Sequence, residues 1–216
     1  MDAVDTEQPA TAEAAPEQTT AASATLQLTD SQKLIKHGLI QGSIALAAFS
    51  MWAATDAWLA VTQLPLANLL SILTAIIAGV TVSTVIHEWF HFAGAKLGGS
   101  RYTIPTQTGF FVYDYNYADS SVRQFYIMSL AGQLGSVVAI VGFYTLIPLD
   151  TSGRFMLLAA AIGSALFGGA IEWPVMLRTR HSHNPLAELS KITPRVFNRS
   201  LSFGLFSGLL VFFSFA

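Results

Sequence analysis

Beyond residue 29 the chain is a succession of long apolar stretches separated by short polar ones. The runs extend from about Gly38 to Ala60, Leu64 to Ala93, Phe125 to Leu149, Phe155 to Leu177 and Leu201 to Ala216. A helix needs roughly 20 apolar residues to cross the hydrocarbon core, so the first four are long enough and the last is the shortest. Apolarity sustained over such lengths predicts an all-α polytopic membrane protein of about five transmembrane helices. Between the second and third runs the pattern changes. Phe111, Tyr113, Tyr115 and Tyr117 alternate with Val112, Asp114 and Asn116, which is the period of a strand. Pro105 to Gly109 supplies turn chemistry before it. The same tyrosines would also make an aromatic belt at a membrane interface.

Composition agrees with this pattern. Hydrophobic residues are 52 % of the 216 and charged ones 11 %, values that exclude an ordinary soluble globule. The chain has no cysteine, so disulfides and thiolate metal sites are excluded, and a zinc ion would take nitrogen and oxygen ligands. Residues 1–29 contain no Lys or Arg and are rich in Ala, Thr, Glu, Gln and Pro. Residues 1–31 are therefore expected to be a disordered acidic tail, too polar to bury a core. The tail lacks the basic start and apolar centre of a signal peptide. Residues 32–216 form the membrane domain.

Charge placement orients that domain. With the N-terminus inside, ten of the 11 Lys and Arg fall on the cytoplasmic side, and only Arg154 falls outside. The positive-inside rule thus predicts a multi-pass protein of the cell (inner) membrane with a cytoplasmic N-terminus. Asp56 is expected at the outer end of the first span, in reach of water.

The second run ends in His87-Glu88-Trp89-Phe90-His91, an H-E-x-x-H motif closing a segment, Leu64 to Ile86, that has no charged residue. On a helix His87 and His91 lie about 40° apart and can reach one metal ion. Glu88 lies about 100° round from His87, where a carboxylate can deprotonate a metal-bound water. Ionisable groups at membrane depth are expensive and point to function; two histidines hydrogen-bonded in a core are the alternative.

Catalytic zinc usually takes three protein ligands and a water. Asp114, Asp119, Asp150, Glu172, His181, His183 and Glu188 follow the motif. Depth selects Glu172, because it and His87 each precede a basic flank by a similar distance, whereas Asp150 is on the opposite side. The others fall in loops, where solvation explains them. Small residues support the choice: Gly79 and Ser83 recur every four residues into His87 and His91, and Ala160, Ser164 and Gly168 lead in the same way to Glu172. Membrane helices pack along such stripes. The alternative for Glu172 is an ion pair with Arg178 or Arg180. Pro174 is expected to loosen the helix just beyond it.

At these residues the chain resembles the site-2 protease class of intramembrane zinc metalloproteases. The stretch from His87 to Gly98 is similar to that family's HExGH helix and its Gly-ending exit, and Ser129 to Ser136 is similar to its A-G-P-x-x-N segment. The resemblance covers roughly Leu64 to Leu177. Phe90 replaces the usual Gly, Gln133 and Ser136 stand where Pro and Asn are usual, and Glu172-Trp173-Pro174 takes the place of the usual Asp-Gly. Asn184-Pro185 lies too late to restore the usual N-P-x-x-x-D-G order.

The resemblance implies a β-hairpin after the motif helix, whose open edge could hold an extended substrate. It implies an endopeptidase with Zn2+ on His87, His91 and Glu172 and with Glu88 as general base. Gln133 could donate a hydrogen bond to the oxyanion or to substrate backbone, though a polar residue joining helices is the commoner role. The expected substrate is a transmembrane protein segment that unwinds locally, cut near the cytoplasmic face. The expected surroundings are the lipid bilayer, without nucleic acid. Two alternatives remain: a catalytically silent relative that binds membrane clients, and a metal or proton transporter.

Overall fold

The computed structural model describes residues 28–215; the acidic tail expected over residues 1–31 lies almost wholly outside them. The order of elements is α1 (Asp30–Thr62), α2 (Pro65–Leu97), β1 (Tyr102–Thr103), β2 (Asp114–Tyr115), α3 (Val122–Leu146), α4 (Ser152–Ser182), α5 (Pro185–Leu189) and α6 (Pro194–Phe215). Five of these helices are long and apolar enough to cross a membrane. The fold is thus the all-helical multi-span architecture expected, with a two-stranded antiparallel sheet after the second helix.

The helices outrun their apolar runs because polar caps extend them. Thr29 and Gln32 form a capping box that starts α1, and Ser121 and Gln124 form another at α3. Each satisfies two backbone donors that a bare helix end would leave open. Pro65 occupies the first turn of α2, where its missing N–H costs nothing. Pro174 does not break α4, which stays helical to Ser182.

α2 is the central element, packed against α1, α3 and α4, while α6 packs on α4. The stripes of small residues set the α2–α4 contact. A Cβ at Gly79 would lie 2.6 Å from the Leu157 carbonyl oxygen, and Thr84 Oγ1 lies 3.4 Å from Ser164 Oγ. Farther along, Gly168 faces the His87 ring. Close approach along these positions brings the ends of both stripes together.

Two apolar cores result. One joins Trp52, Ala78, Phe143 and Leu157 in the half away from the hairpin; the other joins Phe92, Val112, Phe125 and Val175 beneath it. His87 falls between Ala78 and Phe92 along α2. Outward-facing Leu69, Leu73, Val137, Val141, Phe206 and Leu210 stay exposed, a surface that suits lipid contact.

Asp56 departs from its expected setting. It is buried rather than solvated, and accepts hydrogen bonds from Ser71 Oγ, Thr151 Oγ1 and Arg154 Nε. Arg154 supplies the counter-charge that burial of the carboxylate requires.

Candidate metal centre

Helical period places the first two donors. His87 and His91 sit one turn apart on α2, and their Nε2 atoms are 2.9 Å from each other. From α4, Glu172 Oε1 lies 2.9 Å from His87 Nε2 and 3.3 Å from His91 Nε2. Tetrahedral zinc with bonds of about 2.0–2.2 Å holds its ligand atoms roughly 3.3–3.5 Å apart, so this triangle accepts the ion after a small expansion. Glu88 stands beside it, with donor atoms of His87, Glu88 and His91 all within 4.8 Å of one another.

The proton inventory favours a cation at the centre of the triangle. His91 Nδ1 is 2.9 Å from the Met128 carbonyl oxygen, which can only accept, so Nδ1 carries a proton and Nε2 is the atom with a lone pair to offer whenever the ring is neutral. His87 Nδ1 is 2.9 Å from Ser136 Oγ, a hydroxyl that can accept from the ring or donate to it. Metal-ligating histidines use such partners to fix the ring and its tautomer. A proton could serve one pair of the triangle at a time, whereas one bound cation serves all three atoms.

α3 supplies the support. Gly132 lies under the His91 ring, where any Cβ would collide with the imidazole. Gly135 faces Phe90, with an added Cβ 2.7 Å from that of Phe90. The bulky residue in the motif is therefore matched by a missing side chain opposite. Gln133 Nε2 donates to Glu172 Oε2 at 2.8 Å, so in this structure the amide positions the carboxylate and joins α3 to α4.

Comparison of the chain with protein-family models, curated proteins and solved structures finds no match.

The other sequence candidates lie elsewhere. His181 and His183 are exposed at the end of α4, and Asp114 and Asp119 are exposed in the hairpin region. Asp150 pairs with Arg154. Glu188 accepts from Arg178 Nε at 2.9 Å and from Lys191 Nζ at 2.8 Å, which leaves Arg178 on Glu188 rather than on Glu172. These bonds, Lys191 first, hold the Glu188 carboxyl below the usual range.

Two cavities meet at the centre. One of about 560 Å3 is mostly apolar and runs between α2, α4 and α6, past Val80, Phe167 and Leu205, to His87, Glu88 and Glu172. The other, about 440 Å3, lies under the hairpin and is lined by Tyr113, Tyr115 and Tyr117 with Glu88, His91 and Glu172. Phe111 and Ile171 border both. Neither lining contains Lys or Arg, and three carboxylates border the cavities, Glu88 and Glu172 at the centre and the exposed Asp114 under the hairpin.

Sequence reasoning missed the contribution of α1. Lys36 Nζ donates to Thr106 O, the His37 ring to Pro105 O, and Gln41 Nε2 to Gly109 O and Phe110 O. Trp89 Nε1, from within the motif, donates to Gln41 Oε1 at 2.9 Å. Gln41 thereby ties the motif helix to the loop that carries Phe110 and Phe111. The signal was a lone amide in an apolar helix, a residue that needs partners in the membrane.

Proposed function

We propose that the chain is an intramembrane metalloprotease resembling the site-2 class, which hydrolyses peptide bonds of transmembrane substrates near the cytoplasmic face. The observation that carries this reading is Glu88 beside three convergent lone-pair atoms, His87 Nε2, His91 Nε2 and Glu172 Oε1. His87, His91 and Glu172 would hold Zn2+. When bound, the ion supplies a water of lowered pKa and a Lewis acid for the scissile carbonyl.

The protein groups do the rest. Glu88 borders both cavities, so its carboxylate can take the proton of the attacking water and return it to the leaving amine. Gln133 steadies Glu172, and Ser136 and the Met128 carbonyl steady the two imidazoles. The apolar cavity suits a transmembrane segment, whose carbonyls become available only where its helix unwinds. Phe90 finds room over Gly135 and Glu172 stands in place of the missing Asp-Gly. Both observations support an intact metal site, and Glu88 beside it is what favours an enzyme over a silent client-binding relative.

Zinc analysis beside peptide cleavage tests the reading. Glu88→Gln should keep zinc at the wild-type level and lose about 100-fold or more in cleavage rate, since a general base contributes about 10²–10⁴-fold. Loss of zinc in that variant would make Glu88 a ligand and sink its assignment as base. A wild-type chain that binds zinc and cleaves nothing would favour the silent relative.

A further inference from the structure

α6 opens with charge and continues without it. Arg195 and Arg199 are followed by no Lys, Arg, Asp or Glu up to Ala216. At about 100° per residue, Arg195, Arg199, Phe206, Leu210 and Phe213 fall within an arc of about 60°, and all five are exposed. Gly204 and Gly208, on the opposite side of the helix, meet α4. Cβ atoms added there would lie 2.6 Å from the Gly163 carbonyl oxygen and 3.1 Å from that of Ala159. The arginine stripe therefore faces away from α4, and its apolar continuation suits lipid contact.

The same glycine contacts fix the depth of the stripe. α4 and α6 run antiparallel, with Gly163 on Gly204. Five residues along, this register sets Arg199 level with Gly168, which faces the His87 ring. Nine along, it sets Arg195 level with Glu172, each to within about one turn. The helices are still paired there, since the Phe167 and Phe197 ring centroids are 5.3 Å apart. Two guanidiniums thus sit at the level of the metal centre, on the outer face of α6.

Among the described residues neither has an ion-pair partner. Glu172 meets the two imidazoles, Glu188 takes Arg178 and Lys191, and Asp56 and Asp150 take Arg154. A guanidinium is always charged and is expensive to hold in hydrocarbon. An anion for the pair has to come from outside the bundle, and the apolar surface that continues the stripe points to a lipid. Four residues apart on a helix, the two side chains start about 5–6 Å from each other, within reach of one phosphate. The planar guanidinium fork matches phosphate oxygens two at a time.

We propose that Arg195 and Arg199 form a binding site for the phosphate of an anionic phospholipid, which holds the headgroup layer at the level of the metal centre. The site goes beyond the protease reading and does not depend on it. Under that reading it brings interfacial water to the depth at which a peptide bond is cut.

The test uses the full chain in a non-ionic detergent, with native mass spectrometry counting bound phosphatidylglycerol, phosphatidylcholine or inorganic phosphate. Wild type should bind phosphatidylglycerol more tightly than phosphatidylcholine, and inorganic phosphate should not displace it. Arg195→Leu with Arg199→Leu should weaken phosphatidylglycerol binding about 25-fold, or about five-fold for each basic residue lost near the membrane surface. Arg195→Lys with Arg199→Lys, which keeps the charge and loses the fork, should fall in between. Arg180→Leu, which removes another exposed guanidinium beyond this level, should change binding less than two-fold. Since the chain has no cysteine, spin labels at Val196→Cys and Phe206→Cys read depth in phosphatidylglycerol bilayers. The first should collide with a water-soluble nickel chelate and the second with oxygen only.

Equal binding of the two lipids overturns the site, as does displacement by inorganic phosphate or an equal loss in Arg180→Leu. It is also overturned if the label at position 196 is as shielded from the chelate as the one at position 206.

Discussion

Asp56 and Glu172 are both carboxylates held by three polar groups inside the helix bundle, at opposite ends of it. Asp56 accepts from Ser71, Thr151 and Arg154 at 3.2, 2.9 and 2.7 Å. Glu172 meets His87, His91 and Gln133 at 2.9, 3.3 and 2.8 Å. The difference lies in the charge. At the far end a guanidinium, which never loses its proton, neutralises the carboxylate. At the hairpin end the partners are two imidazoles and an amide, with a second carboxylate, Glu88, close by. Buried charge needs a counter-charge, so the first cluster is complete as protein, and in the proposed function a bound cation would complete the second. Similar hydrogen-bond geometry thus serves structure at one end and, in the proposed function, metal binding at the other.

Removing the carboxylate at the hairpin end is the harshest way to break this contrast. Glu172→Ala leaves two histidines, and zinc should fall well below one per chain after dialysis. Glu172→Asp should retain part of it, and His181→Ala and His183→Ala should retain all of it. Gln133→Ala, which removes only the support, should weaken zinc binding by about 10–100-fold, as loss of an outer-shell partner does. Zinc that survives Glu172→Ala and falls in a His181 or His183 variant would move the site to the loop after α4 and end the comparison.

At the other end the same deletion should cost stability and spare the metal. Asp56→Ala leaves Ser71 and Thr151 without their acceptor while Arg154 keeps Asp150, so the cost should be about 1–3 kcal/mol, that of buried polar groups left unsatisfied. Replacing both members, Asp56→Leu with Arg154→Leu, should destabilise less than Asp56→Ala. Thermal unfolding in detergent measures both. A fall in zinc content in Asp56→Ala would mean that the two ends are coupled rather than independent.

The gentlest probe leaves both clusters intact and asks which side each faces. The chain has no cysteine, so single cysteines report sidedness cleanly. Positions after Lys36, in the Lys96 to Arg123 segment and after Arg178 should label from the cytoplasm, and the Asp150 to Gly153 turn from the opposite side. Labelling of the Lys96 to Arg123 segment from outside would reverse the proposed orientation.

The legible parts of this molecule are those written in local period. Four-residue spacing places His87 on the same face as His91, and the stripe ending at Glu172 brings that carboxylate to the same level. Run length gives the spans, and the alternation of tyrosines gives the strand. Azimuth was not legible. A helix that is apolar on every side, such as α1, gives no sign of which face meets its neighbour. Gln41 and Trp89, 48 residues apart, and Asp56 and Arg154, 98 apart, therefore found each other only in three dimensions. The roles of Gly132 and Ser136 were hidden for the same reason, since their meaning comes from the rings of α2 lying against α3.

The Phe90–Gly135 contact also constrains how such a sequence can change. A phenyl group at position 90 has room because position 135 carries no side chain, and an added methyl there would lie 2.7 Å from the Phe90 Cβ. Overpacking of that kind distorts a tight helix contact. The contact is with the Phe90 Cβ, so any side chain at position 90, and not the ring alone, depends on Gly at position 135. The two positions are therefore coupled across the α2–α3 contact: at most one of them can carry a side chain unless the helices move apart.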